Sequence, residues 1–186
     1  MRTFFPASRR QRPADSAEQF AAAIERLYRE EFARVYRYLD RSLGDAQLAT
    51  DLAQEAFIRL SERQVLPDEP VAWLISVATN LLRDDRRRTS RRLRLLSRSP
   101  ESVPQAAPAP DPSTEIDRAE LRAQVRAALD QLNARDREVL LLRHSGYSYH
   151  EIATALDIAE AGVGTVLLRA TARFRSVYEE LHGHDD

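Results

Sequence analysis

The chain has 186 residues, 43% hydrophobic and 31% charged, which suits one ordinary soluble domain or two small ones and excludes a disordered or collagen-like polymer. It has no cysteine, so disulfides and thiolate metal sites are excluded, and no apolar run approaches the roughly 18 residues of a membrane span. The formal net charge is −1, yet residues 1–98 carry 19 arginines against 14 carboxylates and residues 99–186 carry 9 against 15; lysine is absent.

The first stretch, "MRTFFPASRRQRPADS", is basic but lacks an apolar segment of signal-peptide type, so residues 1–17 read as a flexible tail and the chain as cytoplasmic. Ile24, Leu27, Tyr28, Phe32, Val35 and Leu39 then recur at steps of three and four and predict a first helix. Gly44 and Asp45 interrupt it and can cap a second, in which Leu48, Leu52, Ala56 and Leu60 recur. "QVLPDEP" breaks the pattern again, and Pro70 is placed as an early residue of a third helix, "PVAWLISVATNLLRDDRRR", that runs on with fewer apolar positions. Leu74, Val77, Ala78 and Leu81 are its expected core face. Trp73, Ser76, Asn80, Arg83 and Arg87 lie on another.

A charge run such as 83–98, with eight arginines against two aspartates, is by itself a solvated helix face, and a lone tryptophan is by itself a packing anchor. Together on one face, an aromatic ring, an amide and arginines supply stacking, base-edge hydrogen bonds and phosphate neutralisation. Those are the three requirements of single-stranded DNA binding.

Five of the nine prolines fall in "SPESVPQAAPAPDPST", a semi-rigid linker that cannot build a core. The expected division is therefore a helical domain over 18–98, a linker over 99–116 and a second helical domain over 117–186. In the second domain Leu121, Val125, Ala128, Leu129 and Leu132 form one stripe, and Asn133 can cap a helix holding Val139, Leu140 and Leu142. Ser148 and Glu151 have capping-box spacing ahead of Ile152, Ala153 and Leu156. A short turn containing Asp157 and Gly162 leads into a longer helix with Val163, Val166, Ala170, Phe174 and Val177 inward. Helix, short turn and arginine-bearing helix is the order of a DNA-reading helix-turn-helix, though any helical hairpin can imitate it. The fold class is all-α.

No catalytic constellation emerges, and the chain reads as a non-enzyme without cofactor or metal. "HEIAT" at 150–154 opens like a zinc-protease motif but has threonine where the second histidine belongs, and there is no phosphate-binding glycine loop or nucleophile elbow. The terminal "HGHDD" reads as a polar tail.

Three stretches in order, "DLAQEAFIRL" at 51–60, "WLISVATNLLRDDRRR" at 73–88 and "LNARDREVLLLRHSGYSYHEIATALDI" with "VGTV" over 132–166, resemble the extracytoplasmic-function (ECF) sigma factors of bacterial RNA polymerase. The resemblance implies that the second helix docks on core polymerase, with Asp51, Gln54, Glu55 and Phe57 as contacts. It implies that the loop 64–69 captures a flipped base of the −10 element and that the third helix reads that element. Trp73 would serve as packing or stacking support there, Asn80 as a base-edge reader, and Arg83, Arg86, Arg87 and Arg88 as phosphate contacts. In the C-terminal domain it implies −35 duplex recognition by Thr165, Arg169, Arg173 and Arg175. Here the sequence departs from the family pattern: Leu167 and Leu168 stand where a polar run is usual, and the turn "DIAEAG" looks long. The implied partners are core RNA polymerase and promoter DNA, with room for an anti-sigma factor. Thr50 is a candidate phosphorylation site, because about −1.5 to −2 of charge near a helix N-terminus would be favourable.

Two other readings compete. A stand-alone helix-turn-helix regulator would suit the second domain but has no use for the Trp73, Asn80 and arginine face. A helical scaffold has only Leu167 and Leu168 in its favour.

Overall fold

The structure, a computed structural model, describes residues 13–96 and 114–183. The N-terminal twelve residues, most of the proline linker and the terminal "HDD" lie outside the described residues. The helices are α1 (Pro13–Leu43), α2 (Ala46–Glu62), α3 (Pro70–Leu96), α4 (Thr114–Asp130), α5 (Ala134–His144), α6 (Tyr149–Leu156) and α7 (Glu160–His182), and no strand occurs among the described residues. Helix α1 therefore begins within the stretch expected as tail, and α4 begins three residues before Asp117.

In the first lobe, Gly44 takes a positive φ of 71° and ends α1, and the Asp45 carboxylate caps α2 by accepting from the Leu48 N–H at 2.9 Å. Three alanines of α2, Ala49, Ala53 and Ala56, are fully buried and let it lie close against its neighbours. Around them pack Val35, Tyr38 and Leu39 from α1, Phe57 and Leu60 from α2, and Leu74, Ile75, Ala78 and Leu82 from α3. The Tyr38 hydroxyl, buried here, is satisfied by Thr79 Oγ1 at 3.1 Å. Helix α3 starts where its proline said it would: the Glu69 carbonyl accepts from the Trp73 N–H at 3.0 Å and Pro70 is the first helical residue.

The second lobe is built on two capped turns. Asn133 Oδ1 accepts from the Asp136 N–H at 2.9 Å and starts α5. Ser148 and Glu151 form the full reciprocal capping box of α6. Asp157 closes α6 in the left-handed region at φ 52°, and the Ile158 N–H reaches back to the Ala153 carbonyl. The connection to α7 is the three residues Asp157 to Ala159. Gly162 is inside α7 and not in the turn, so the apparent surplus length is taken up by the first turn of the long helix. Val139, Leu142, Ile152, Val163 and Ala170 form the centre of this lobe.

The two lobes touch. Helix α6 lies along α3 and the C-terminal end of α5 meets α1, so that the buried apolar residues form one continuous cluster.

Candidate nucleic-acid and polymerase interfaces

Along α3 the side chains divide into three arcs. Leu74, Ile75, Ala78, Thr79 and Leu82 are buried; Trp73, Ser76, Val77, Leu81, Arg83 and Arg86 are half-buried; Asn80, Asp84, Arg87 and Arg88 are exposed. Of the expected core face, Leu74 and Ala78 are at the centre and Val77 and Leu81 at the edge, because α3 has partners on two sides, with α1 and α2 on one and α6 on the other. Asn80, Arg87 and Arg88 thus stand outward, with Arg87 3.6 Å from the Asp84 carboxylate one turn before it.

The other expected members of the −10 face are already engaged. Trp73 packs against the core, and the Arg63 guanidinium lies 5.2 Å from its ring centroid. Arg86 donates at 2.7 Å to the Ser42 carbonyl at the end of α1, where a cation satisfies a helix C-terminus. This makes Arg86, expected as a phosphate contact, a staple of the first lobe. Arg83 grips Glu138 of α5 with two nitrogens, Nε at 2.7 Å from Oε1 and Nη2 on Oε2. The hydrogen bond to Glu138 raises the Arg83 pKa further.

The loop before α3 is held from the other lobe. His150 on α6 bonds Glu69 at 3.0 Å through Nε2 and Glu160 at 3.0 Å through Nδ1. Its pKa is raised, by Glu160 first and then by Glu69, and the Glu69 carboxyl is lowered by His150 and then by Thr154. Val65, 70% exposed, projects from the same loop.

On α2, Asp51 and Gln54 are exposed and Glu55 is half-buried, paired with Arg59 at 2.8 Å. Phe57 does not join them. It is buried against Tyr28 and Phe32, with ring centroids 5.1 and 6.0 Å away, and so belongs to the core of the lobe. Ile58, 51% exposed, is the apolar residue that stands one and two turns along from Gln54 and Asp51. Sequence reasoning passed over it, although a bulky aliphatic outside the apolar stripe was the available signal. Thr50 is the fifth residue of α2, and its hydroxyl donates back to the Ala46 carbonyl at 2.8 Å. Thr50 thus stands just past the first turn, where the field of the helix N-terminus is already weaker.

On α7, Thr165, Arg169, Arg173 and Arg175 are all exposed, as is Leu168 at 76%. Arg169 and Arg173 share one carboxylate: Asp136, fully buried at the start of α5, accepts from Arg169 at 3.1 Å and Arg173 at 3.0 Å, one on each oxygen. Burial would raise the Asp136 carboxyl, but Arg169, Asn133 and Arg173 together hold it below the ordinary value. Asp136 fixes the direction of two guanidiniums while leaving their outer N–H groups to solvent. Nothing in the sequence pattern singled it out.

A groove of about 1330 Å³ opens between the end of α1 and helices α4, α5 and α7. Arg37, Arg41, Arg122, Arg126 and Arg143 rim it over apolar side chains that include Phe174.

Against known proteins, residues 27–92 match the Sigma-70 region 2 family and residues 122–174 match Sigma-70 region 4. The chain is 35% identical over 175 residues to the ECF RNA polymerase sigma factor SigL of Mycobacterium tuberculosis, covering 91% of this chain and 97% of that one. The chain belongs to the ECF sigma factors. It is also 29% identical to the ferric citrate uptake sigma factor FecI of Escherichia coli, over 79% of this chain and 86% of that one. Among solved structures, this ECF sigma factor shares its fold with CnrH in complex with the cytosolic domain of CnrY, at a TM-score of 0.62 and 23% identity over 90% and 94% of the two chains. The sigma factor RpoE from Bartonella quintana, in complex with the anti-sigma factor NepR, aligns at 0.60 and 20% identity over 88% and 99%.

Proposed function

We propose that this ECF sigma factor binds core RNA polymerase through the outer face of α2, with Asp51, Gln54 and Glu55 joined by Ile58. It then places α3 on the −10 element and α7 on the −35 element. The observation that carries the −10 reading is the arc of α3 on which Asn80 stands exposed with Arg87 and Arg88 beyond it. An amide can donate to and accept from a base edge at once, and guanidiniums two turns along reach the phosphates of the same strand. The loop 64–69 would receive a base turned out of the stack, with Val65 as an apolar surface for it and Trp73 behind. Arg86 has no part in this, and Arg83 would join only after leaving Glu138.

On α7, Asp136 supports the −35 reading because it aims Arg169 and Arg173 together from one helix face. Thr165 lies one turn before Arg169, and Arg175 would reach backbone phosphate. The domain division at the proline-rich stretch 99–116 would let the two reading faces move independently onto the two elements. The role asks for promoter melting and tethering and no covalent chemistry, and it places the chain in the cytoplasm with polymerase. No described helix is long and apolar enough to cross a membrane. An anti-sigma factor would complete the set of partners; the arginine-rimmed groove over an apolar floor suits an acidic amphipathic helix from such a protein.

The test is a band-shift on a fork-junction promoter fragment, taken from genomic DNA enriched by the reconstituted holoenzyme, with and without core polymerase. The expected shift needs both proteins. Asn80→Ala should cost about 1–3 kcal/mol on the cognate −10 sequence, and Arg87→Ala should weaken all sequences alike. A shift of duplex DNA by the chain alone, insensitive to core, would defeat this reading.

A further inference from the structure

Helix α7 buries Val163 and Ala170 in the second lobe and turns its opposite side to solvent. Steps of four, three, four and three residues place Ala161, Thr165, Leu168, Ala172 and Arg175 together on that side, and all five are exposed. Ala161 and Ala172 are small, and Thr165 and Arg175 are polar. Leu168 is neither: at 76% it is the most exposed large apolar side chain among the described residues. Gly162, in the first turn of the helix, borders open space, and nothing bulky on this face shields the leucine. A single exposed leucine is ordinary on a protein surface. The position of this one carries the meaning, because it stands at the middle of the helix face that Thr165 and Arg175 share.

We infer that Leu168 reads the C5-methyl group of a thymine in the −35 element. The inference rests on the −35 reading of α7 and adds the one base feature that an apolar side chain can recognise. Every other group on the major-groove edge of a base pair is a hydrogen-bond donor or acceptor; the thymine methyl is the apolar point of the code. Leucine offers no partner to the guanine acceptors or the cytosine amino group. Pressed against them it would strip their water without replacing it, so it selects against those bases while it favours thymine. The charge around it suits the same occupant. Arg169 and Arg173, both bonded to Asp136, lie on one flank of Leu168, and Arg175 stands two turns beyond it. Three guanidiniums around an apolar tip match a groove with phosphates on its walls and a methyl on its floor. A protein partner fits less well. The core of a docking site is a contiguous apolar patch depleted of charge, and the four residues that share this face with Leu168 include no other large apolar one.

The experiment measures the affinity of the reconstituted holoenzyme for a promoter duplex enriched from genomic DNA. Each thymine of the −35 element, on either strand, is replaced in turn by deoxyuridine, which deletes the methyl and keeps the base pair. One position should lose about three- to five-fold with the wild-type chain, the worth of one buried methyl. Leu168→Ala should lose at least that factor on the thymine duplex and become indifferent to deoxyuridine at that position. Leu168→Met, which keeps the apolar bulk, should keep the dependence. Because Leu168 is exposed, neither variant should move the urea midpoint or the affinity for core polymerase. A wild type indifferent to every deoxyuridine, with −35 transversions still weakening binding, would overturn the contact and leave the −35 reading standing. So would a deoxyuridine penalty that survives unchanged in Leu168→Ala, or a −35 element with no thymine on either strand. Transversions without effect across the whole element would overturn the −35 reading itself. Weaker binding of Leu168→Ala to core, with the methyl dependence intact, would overturn the contact in favour of a polymerase surface.

Discussion

Asp136 and His150 show how single side chains couple the surfaces of this molecule to pH and to one another. Asp136 is buried, bonded by Asn133 and clamped by Arg169 and Arg173, so its carboxyl lies below the ordinary carboxylate value. A depressed acid contributes stability that is present above its unfolded value and lost as pH falls through the folded one. Asp136→Asn should therefore cost about 1.5–3 kcal/mol at neutral pH, the range for hydrogen bonds to charged groups, with a much smaller difference from wild type in strong acid. Urea unfolding at the two pH values measures it. The same substitution should weaken −35 binding, because both arginines lose their anchor. His150 has the opposite sign: its folded value is raised, so its contribution is full below the ordinary histidine value of about 6.5 and fades as pH rises through the folded one. Glu160 faces it from its own lobe and Glu69 from the other. The urea midpoint should therefore rise as pH falls from above neutrality toward about 6.5, and His150→Gln should remove that part of the dependence.

At the scale of elements, the sequence was most legible where local chemistry decides. The Asp45, Asn133 and Ser148 caps, the Pro70 start and the apolar stripes of α1, α5 and α7 all act within a few residues, and the structure places them as read. Ser148→Ala should remove one side of the capping box and cost about 1 kcal/mol, seen as a lower urea midpoint at unchanged slope; no loss would mean that packing of Ile152 and Leu156 alone sets α6. Periodicity misled where a helix has more than one neighbour. In α3, of the expected core face Leu74 and Ala78 are fully buried, while Val77 and Leu81 are half-buried and Ile75 and Leu82 join the core, because α6 covers a second side. In α2 the small side chains of Ala49 and Ala53 hid the true core face, and Phe57 was read outward although Tyr28 and Phe32 enclose it. Helices α1 and α4 begin at Pro13 and Thr114, a few residues ahead of the starts expected at 18 and 117.

For the whole molecule, the all-α class and the two sigma regions could be read from the order of three motifs, but the relation between lobes could not. Arg83 meets Glu138 across 55 positions, and Asp136 meets Arg169 and Arg173 across 33 and 37. No local pattern announces such pairs, because a charge on a helix face has the same spacing whether it faces water or a partner lobe. That is why Arg83 and Arg86 looked alike in the sequence and differ in the structure, one bonded to Glu138 of the second lobe and the other to the Ser42 carbonyl of the first. Asn80, Arg87 and Arg88 are the expected −10 residues that the structure leaves exposed. The most direct measurement is permanganate reactivity of thymines in the −10 element of an enriched promoter, on linear duplex, with core polymerase alone, with the chain alone and with both. Reactive thymines in the presence of both proteins only, reduced by Asn80→Ala, are the predicted result. Unreactive thymines in the holoenzyme complex, with wild-type chain fully bound to core, would contradict the assignment of α3 as the helix that holds a promoter while its strands part.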